Sequence, residues 1–436
     1  MRPRLRAQRD EGADPPRGSL QQLRFRRAER LPLSGRPRDR VNFRPVPITG
    51  VGLVTAAGRG VEPAWEALRA GRSLLAADAD PELAGFPPIE TARCARIDPE
   101  SVGADRRAAR IMGHHTHMFL AAVHEAMGDA STLPEMAEED VAFFAGMDSV
   151  DPDKDDLVSA VRESEGRVDL GHFFSEGMDA IPPLWPLGLL NAIGFSQTAI
   201  QYRWRGENAV FSAGPEATAR ALCEAADSVG SGKARLALAA GVSGVISARM
   251  LARAMRRGAW PQAGGLGEGA GVIRLNQPEI ADSSRILGWF KGYSSVRALE
   301  KRGGLARAIQ ESARGTLACA GLKPDDVNLL VIHGEGESRS DNAEAEAISA
   351  VFGGHKPWGL ATKGVFGHLW GGSPALDLIM AMKALAEGAS PPSPATAGGL
   401  FRDAAGGSGR DELQNALVLV QGFDGVCAAF VVGKHA

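Results

Sequence analysis

The chain has 436 residues, 44% hydrophobic and 23% charged, with 49 basic against 52 acidic side chains. That apolar content supports one large or two medium folded units and excludes a wholly disordered protein. The four cysteines, Cys94, Cys223, Cys319 and Cys427, lack metal-ligand spacing, which fits a reduced, cytoplasmic setting and no metal site. No run of 18 apolar residues occurs, so no membrane-spanning helix is expected, and no signal-peptide apolar region opens the sequence.

Residues 1–45 differ from the rest. They hold 13 Arg and 5 acidic residues, several prolines and few aliphatics. Such a stretch cannot build a core, and it is expected to be a disordered arginine-rich extension. An arginine-rich tail can serve nucleic acid or an acidic partner. Here no aromatic or amphipathic pattern accompanies the arginines, so no nucleic-acid partner is assigned.

Beyond the tail, apolar β-type runs alternate with helical patterns. Strands are predicted at Val46–Thr55, Asp140–Met147, Arg235–Ala240, Val327–His333, Asn415–Gln421 and Cys427–Val432. Helices are predicted at Val61–Arg69, Arg110–Met127, Ala217–Ser231, Gly304–Ala320, Asp341–Phe352 and Pro374–Glu387. Between Gln201 and Val210 the alternation of Tyr202, Trp204 and Val210 suits a paired strand. Buried strands between helices indicate a layered α/β fold.

Several motifs fall in a fixed order. They are Pro45–Thr55 (PVPITGVGLVT), Trp65–Ser73 (WEALRAGRS), Gly267–Gly271 (GEGAG), and His333–Glu337 (HGEGE) with Asp341 and Glu344. Thr362–His368 (TKGVFGH) and Gly422–Gly425 (GFDG) complete the series. This series resembles the β-ketoacyl-acyl-carrier-protein synthase family over nearly everything after residue 45. The resemblance implies a thiolase-like fold with two pseudo-repeated halves in an α-β-α-β-α layered arrangement. The halves are placed at 46–278 and 279–436, joined near 274–284. The stretch Ser390–Gly409 matches the family's proline-containing loop before the last strands.

The segment Gly206–Leu222 resembles the family's nucleophile segment, with one change. Counting forward from Gly206 and Asn208, or back from Gly232, places Pro215 where the family has its catalytic cysteine. Proline has no thiol and no backbone N–H. It suits the first turn of the helix that follows, so it favours folding while removing the nucleophile. In the family the cysteine's own N–H is half of an oxyanion hole. Its loss removes a donor typically worth ~3 kcal/mol of transition-state stabilisation. Ser212 matches an ordinary family serine with no base beside it, and Cys223 is expected to be a packed core thiol.

His333 and His368 match the family's two histidines, which donate toward a malonyl thioester carbonyl during CO2 loss, and Lys363 matches the lysine that buttresses them. The family's two threonines, which hydrogen-bond the phosphopantetheine arm, are here Glu335 and Glu337. Two carboxylates there disfavour an incoming malonyl anion and are costly to bury unpaired. Phe423 matches a gating phenylalanine, and Asp424 replaces the glycine after it, where unusual backbone angles are permitted. The histidine-dense start of the helix at Arg110–His117 aligns with a surface helix and is expected to be solvated.

Three readings follow from the resemblance. One is a non-condensing subunit similar to chain-length factors, partnered with an active ketosynthase as a heterodimer. A second is a homodimeric malonyl-carrier decarboxylase using His333 and His368. The third is a binding or scaffold protein on the same fold. The first two imply an acyl carrier protein, and hence its phosphopantetheine arm, as substrate carrier, with no bound cofactor.

Overall fold

The computed structural model describes residues 43–103, 109, 112–128, 136–148, 160–161, 163–164, 167–188, 190–257, 265–299, 304–391, 400–402 and 413–436. Residues 1–42 of the arginine-rich extension and most of Ser390–Gly409 lie outside the described residues. Phe43, expected within the extension, instead packs on the body, meeting the Phe290 ring at 5.9 Å and the Tyr293 ring at 5.8 Å.

Ten strands carry the architecture. In the first half they are β1 (Val46–Thr55), β2 (Val141–Met147), β3 (Asn208–Phe211), β4 (Leu236–Val242) and β5 (Gly269–Asn276). In the second they are β6 (Gly288–Arg297), β7 (Leu329–Val331), β8 (Trp358–Leu360), β9 (Asn415–Gln421) and β10 (Val426–Gly433). The spatial order of the first half is β3-β2-β4-β5-β1, and that of the second is β8-β7-β9-β10-β6. Adding five to each first-half label reproduces the second half.

The directions agree too. β2 runs parallel to β3 and β4, and β5 runs antiparallel to β4 and β1. β7 runs parallel to β8 and β9, and β10 runs antiparallel to β9 and β6. Three residue pairs, Val46–Phe290, Pro47–Trp289 and Ile48–Gly288, join β1 to β6 across the two halves.

The helices are α1 (Val61–Arg69), α2 (His114–Met127), α3 (Ala192–Tyr202), α4 (Pro215–Gly230), α5 (Ala248–Arg257), α6 (Gly304–Cys319), α7 (Ser338–Phe352) and α8 (Ser373–Glu387). α2 covers the outer face of the first half at β1 and β5, and α6 covers β6 and β10 on the second, with α7 against α6. α4 and α8 touch strands of both halves and form the middle layer. Strands buried on both faces read as continuous apolar runs, as β2 (VAFFAGM) and β4 (LALAAGV) do. Close layer contact depends on missing side chains. A Cβ on Gly52 would stand 1.9 Å from the Ala122 carbonyl oxygen of α2, and one on Gly146 would stand 2.2 Å from the Thr218 nitrogen of α4.

Two predicted elements differ. The paired strand expected across Gln201–Val210 is limited to Asn208–Phe211, because α3 runs through Tyr202. Tyr202 and Trp204 stack on each other at 4.7 Å, and Trp204 meets Phe143 edge-on at 5.0 Å. Their alternation reflects packing on this chain's own core. The predicted helix start at Arg110 lies outside the described residues, and α2 begins at His114. Among the described residues, no helix is long and apolar enough to cross a membrane.

Candidate functional site

The site forms where the C-terminal ends of the parallel strands meet the start of α4. Pro215 is the first residue of α4 and is buried, and Gly214 before it has φ 93°, open mainly to glycine. Asp148, just beyond β2, is the anchor. Its carboxylate accepts the N–H groups of Gly214 (2.7 Å), Gly371 (2.9 Å) and Gly244 (3.3 Å), tying three loops together. Burial raises its pKa to about 6 despite those bonds.

His333 follows β7, and its backbone N–H and that of Gly334 donate to Glu344 of α7 at 2.8 and 3.0 Å. His368 follows the Gly367 turn, and its Nδ1 accepts the Trp370 N–H at 2.8 Å. The imidazoles meet edge to face with centroids 5.3 Å apart, and each residue is only 2% exposed. Burial, then the Lys363 ammonium, holds both pKa values well below the ordinary 6.5, so both rings are neutral. Lys363 is itself buried and paired with Asp377 at 3.4 Å, and Thr362 donates to the same carboxylate at 2.5 Å.

Phe423 closes this group. Its ring lies over His368 at 5.9 Å and meets Trp370 edge-on at 4.7 Å. A Cβ on Gly214 would fall 2.8 Å from its Cδ2. The structure thus brings the start of α4, Phe423, His368, His333 and Lys363 into one contiguous group.

The acidic residues have separate roles. Glu337 caps α7, its oxygens accepting the Arg339 and Ser340 N–H groups at 3.1 and 2.7 Å. Asp424 is half exposed and faces Arg297 at 3.3 Å, while the left-handed position of its turn falls to Gly425 (φ 80°). Glu335 differs: its carboxylate has an oxygen within 4.8 Å of ring nitrogens of both His333 and His368.

Glu216, Trp370 and Gln421 also belong to the site, and nothing in the motif series singles them out. The Glu216 carboxylate accepts the Phe423 N–H at 3.3 Å and lies against Gly422, where a Cβ would stand 2.6 Å from its Oε2. Burial, with the charges of Asp424 and Asp148, raises its pKa to about 7. Trp370 has φ 48°, an unusual angle for a bulky residue. The Gln421 Nε2 is buried without a hydrogen-bond partner among the described residues.

The spacing of His333, Glu335 and His368 is that of a divalent-metal triad, but the proton positions oppose it. His368 Nδ1 accepts the Trp370 N–H, and His333 Nδ1 accepts the Gln421 N–H at 3.4 Å. Each neutral ring therefore carries its proton on Nε2. A ligating histidine normally shows the reverse, with Nδ1–H donating outward and Nε2 free. The Nε2 atoms of both rings are buried without partners among the described residues, and they are donors.

The expectation for the histidine-dense helix start needs correction. His115 is 6% exposed and its Nε2 lies 3.1 Å from the Thr116 hydroxyl, while His114 approaches the buried Glu268 at 3.8 Å. α2 packs this end against the loop carrying Cys94, so it is not solvated. Cys223 is buried with its pKa raised well above the ordinary value by burial, consistent with packing.

The raised carboxyls give a pH prediction. Glu216 and Glu344 keep their protons to about 7 in the folded chain, against an ordinary 4.5. Between those values the folded state holds more protons than the unfolded state, so stability falls as pH rises through 7. Below about pH 7.5 the neutral buried histidines work in the opposite direction, because the unfolded chain still protonates them. The carboxyl contribution is therefore read as the difference between wild type and Glu216→Gln, in which the histidine contribution cancels. Between roughly pH 6.5 and 8 Glu216 should remove about 0.8 kcal/mol, at ~1.36 kcal/mol per pKa unit. Urea denaturation should show the wild type losing that much more stability than Glu216→Gln over this range. An unchanged loss in that variant would contradict the assignment.

Comparison with known proteins agrees with the geometry. The β-ketoacyl synthase N-terminal domain matches residues 43–279, and the β-ketoacyl synthase C-terminal domain matches residues 292–396. The tetracenomycin polyketide synthase ketoacyl synthase beta subunit of Streptomyces glaucescens is 25% identical over 424 residues, covering 90% of this chain and 98% of that one. Nodulation protein E of Rhizobium sp. (strain N33) is 26% identical over 366 residues, covering 80% and 88%.

Among solved structures, a β-ketoacyl synthase from Burkholderia phymatum STM815 aligns with TM-score 0.73 at 18% identity, covering 89% of this chain and 99% of that one. The ishigamide ketosynthase/chain length factor aligns with TM-score 0.70 at 22% identity, covering 90% and 100%. These neighbours establish the thiolase-type fold. With both domain families matched across most of its length, the chain belongs to the β-ketoacyl synthase family.

Proposed function

We propose that this protein is a non-condensing ketosynthase-like subunit of fatty acid or polyketide assembly, working as the partner of an active ketosynthase. The observation that carries this reading is Pro215 at the first turn of α4, with the Glu216 carboxylate lying on the Phe423 N–H beside it. A site built this way has no thiol to load, and the partner supplies it. The acyl chain arrives on the phosphopantetheine arm of an acyl carrier protein. The similarity to a ketoacyl synthase beta subunit supports the same reading.

A partner surface is available. β3 stands at one edge of the sheet, with β2 as its hydrogen-bonded neighbour. In the stretch of chain preceding it Leu170, Phe174, Leu190 and Ile200 are exposed by 62, 68, 52 and 68%. Large exposed apolar groups favour an interaction surface on this half, and an edge strand among the described residues can pair across a twofold axis.

Co-expression with a ketosynthase encoded beside it, followed by native mass measurement, tests the reading. The expected product is a 1:1 heterodimer. A stable monomer in its presence would reject it. A homodimer that releases CO2 from malonyl-carrier protein would favour the decarboxylase reading, which the retained His333 and His368 keep chemically reasonable.

A further inference from the structure

The loop after β7 carries several carboxylates, and all but one are used by the backbone. Asp341 accepts the N–H groups of Glu335 and Gly336, at 3.1 and 3.3 Å. Glu344 holds those of His333 and Gly334, and Glu337 caps α7. The Glu335 carboxylate is turned toward the two imidazoles, within 4.8 Å of their nitrogens. Ser340 hydrogen-bonds it, which still leaves most of its acceptor capacity unused.

The group around the imidazoles therefore has an unusual inventory. Among the described residues it offers buried donors without acceptors, at His333 Nε2, His368 Nε2 and Gln421 Nε2. It also offers an acceptor, the Glu335 carboxylate. Buried polar groups are normally satisfied, so this set describes the occupant it awaits. That occupant accepts hydrogen bonds from the imidazoles and donates one to Glu335. A hydroxyl or an enol does both. A carboxylate has no proton to donate and meets like charge.

We propose that Glu335 makes this site selective for uncharged β-hydroxy or enolised β-keto acyl groups and excludes malonyl-type acyl groups. The assignment rests on the reading that the site faces a growing acyl chain. Phe423 lies against both His368 and Trp370, so binding is measured at equilibrium.

The test is calorimetric titration of the full chain at pH 8 with 3-hydroxybutyryl-pantetheine and with malonyl-pantetheine. The wild type should favour the hydroxybutyryl compound by roughly 100-fold, the scale expected for like charges ~5 Å apart in a partly buried site. Glu335→Gln, and Glu335→Thr if the first fails to fold, should bring the ratio within about 10-fold. Equal affinities in the wild type, an unchanged ratio in a folded variant, or no binding of either compound would overturn the proposal. A protein that pairs with a ketosynthase yet lacks this preference loses only the Glu335 assignment. One that shows the preference but never pairs loses only the partner reading.

Discussion

Returning a thiol to position 215 is expected to leave condensation absent. In Pro215→Cys the new side chain would start α4, where the helix dipole favours a thiolate. The surroundings oppose it. The Glu216 carboxylate follows at once, and the buried Asp148 holds the N–H of the preceding Gly214. Two nearby acidic groups keep the thiol protonated and weakly nucleophilic. The Phe423 N–H is engaged by Glu216, and Glu335 stands beside the imidazoles. Loss of a single oxyanion donor typically costs ~10²–10³-fold, so product from acyl- and malonyl-carrier protein should stay at least about 100-fold below an active synthase. Mass spectrometry of product and of acylated protein measures this. The wild type should give neither product nor an acyl adduct on Ser212 or Cys223. Turnover by the single variant would show that Pro215 alone disables the site. Combining Pro215→Cys with Glu216→Ala and Glu335→Thr should give detectable adduct.

The second large effect concerns folding. Lys363→Met should destabilise the chain by about 3–5 kcal/mol, the usual cost of leaving a buried charge without its partner. The Asp377 carboxyl is 1% exposed, and burial already raises its pKa against the pull of Lys363. Without the ammonium, Asp377 must be buried as an anion or take a proton. The loss should therefore be larger at pH 8 than at pH 5. Lys363→Met with Asp377→Leu should recover most of it, because both charges are gone. Chemical denaturation reads all three chains. A single variant within about 1 kcal/mol of wild type would show that the pair is not a structural tie.

Much of the molecule was legible in the sequence because the relevant signals are local. Continuous apolar runs marked β1, β2, β4 and β9, and Pro215 and Pro374 marked helix starts. The ordered motifs alone gathered His333, Lys363, His368 and Phe423. What stayed hidden depends on side-chain direction. Glu335 and Glu337 lie two residues apart, yet one caps α7 and the other faces the histidines. Glu216 gives no signal in a helix start, because its role needs Gly422 from the far end of the chain. The aromatic alternation of Tyr202 and Trp204 imitates a strand because both rings pack on Phe143 and its neighbours. His115 is buried by tertiary contact that no helical pattern announces.

The middle layer has a consequence for how the protein is made. α8 is buried along nearly its whole length, Ser373 through Leu385, and it touches β4 and β5 as well as β9 and β10. A Cβ on Gly271 of β5 would fall 2.8 Å from that of Ala375, so the first half's sheet is shaped to receive α8. On the ribosome β5 is complete at Asn276, but α8 begins only at Ser373. At ~5–20 residues per second this leaves about 5–20 s in which the part of the nascent sheet that α8 covers, at β4 and β5, lacks that cover while α4 shields its neighbours. A trigger-factor-like holdase, or early pairing with a partner through β3, would shield it during that interval. Messages truncated before residue 373 should accordingly yield insoluble fragments, even though every strand of the first half has been made.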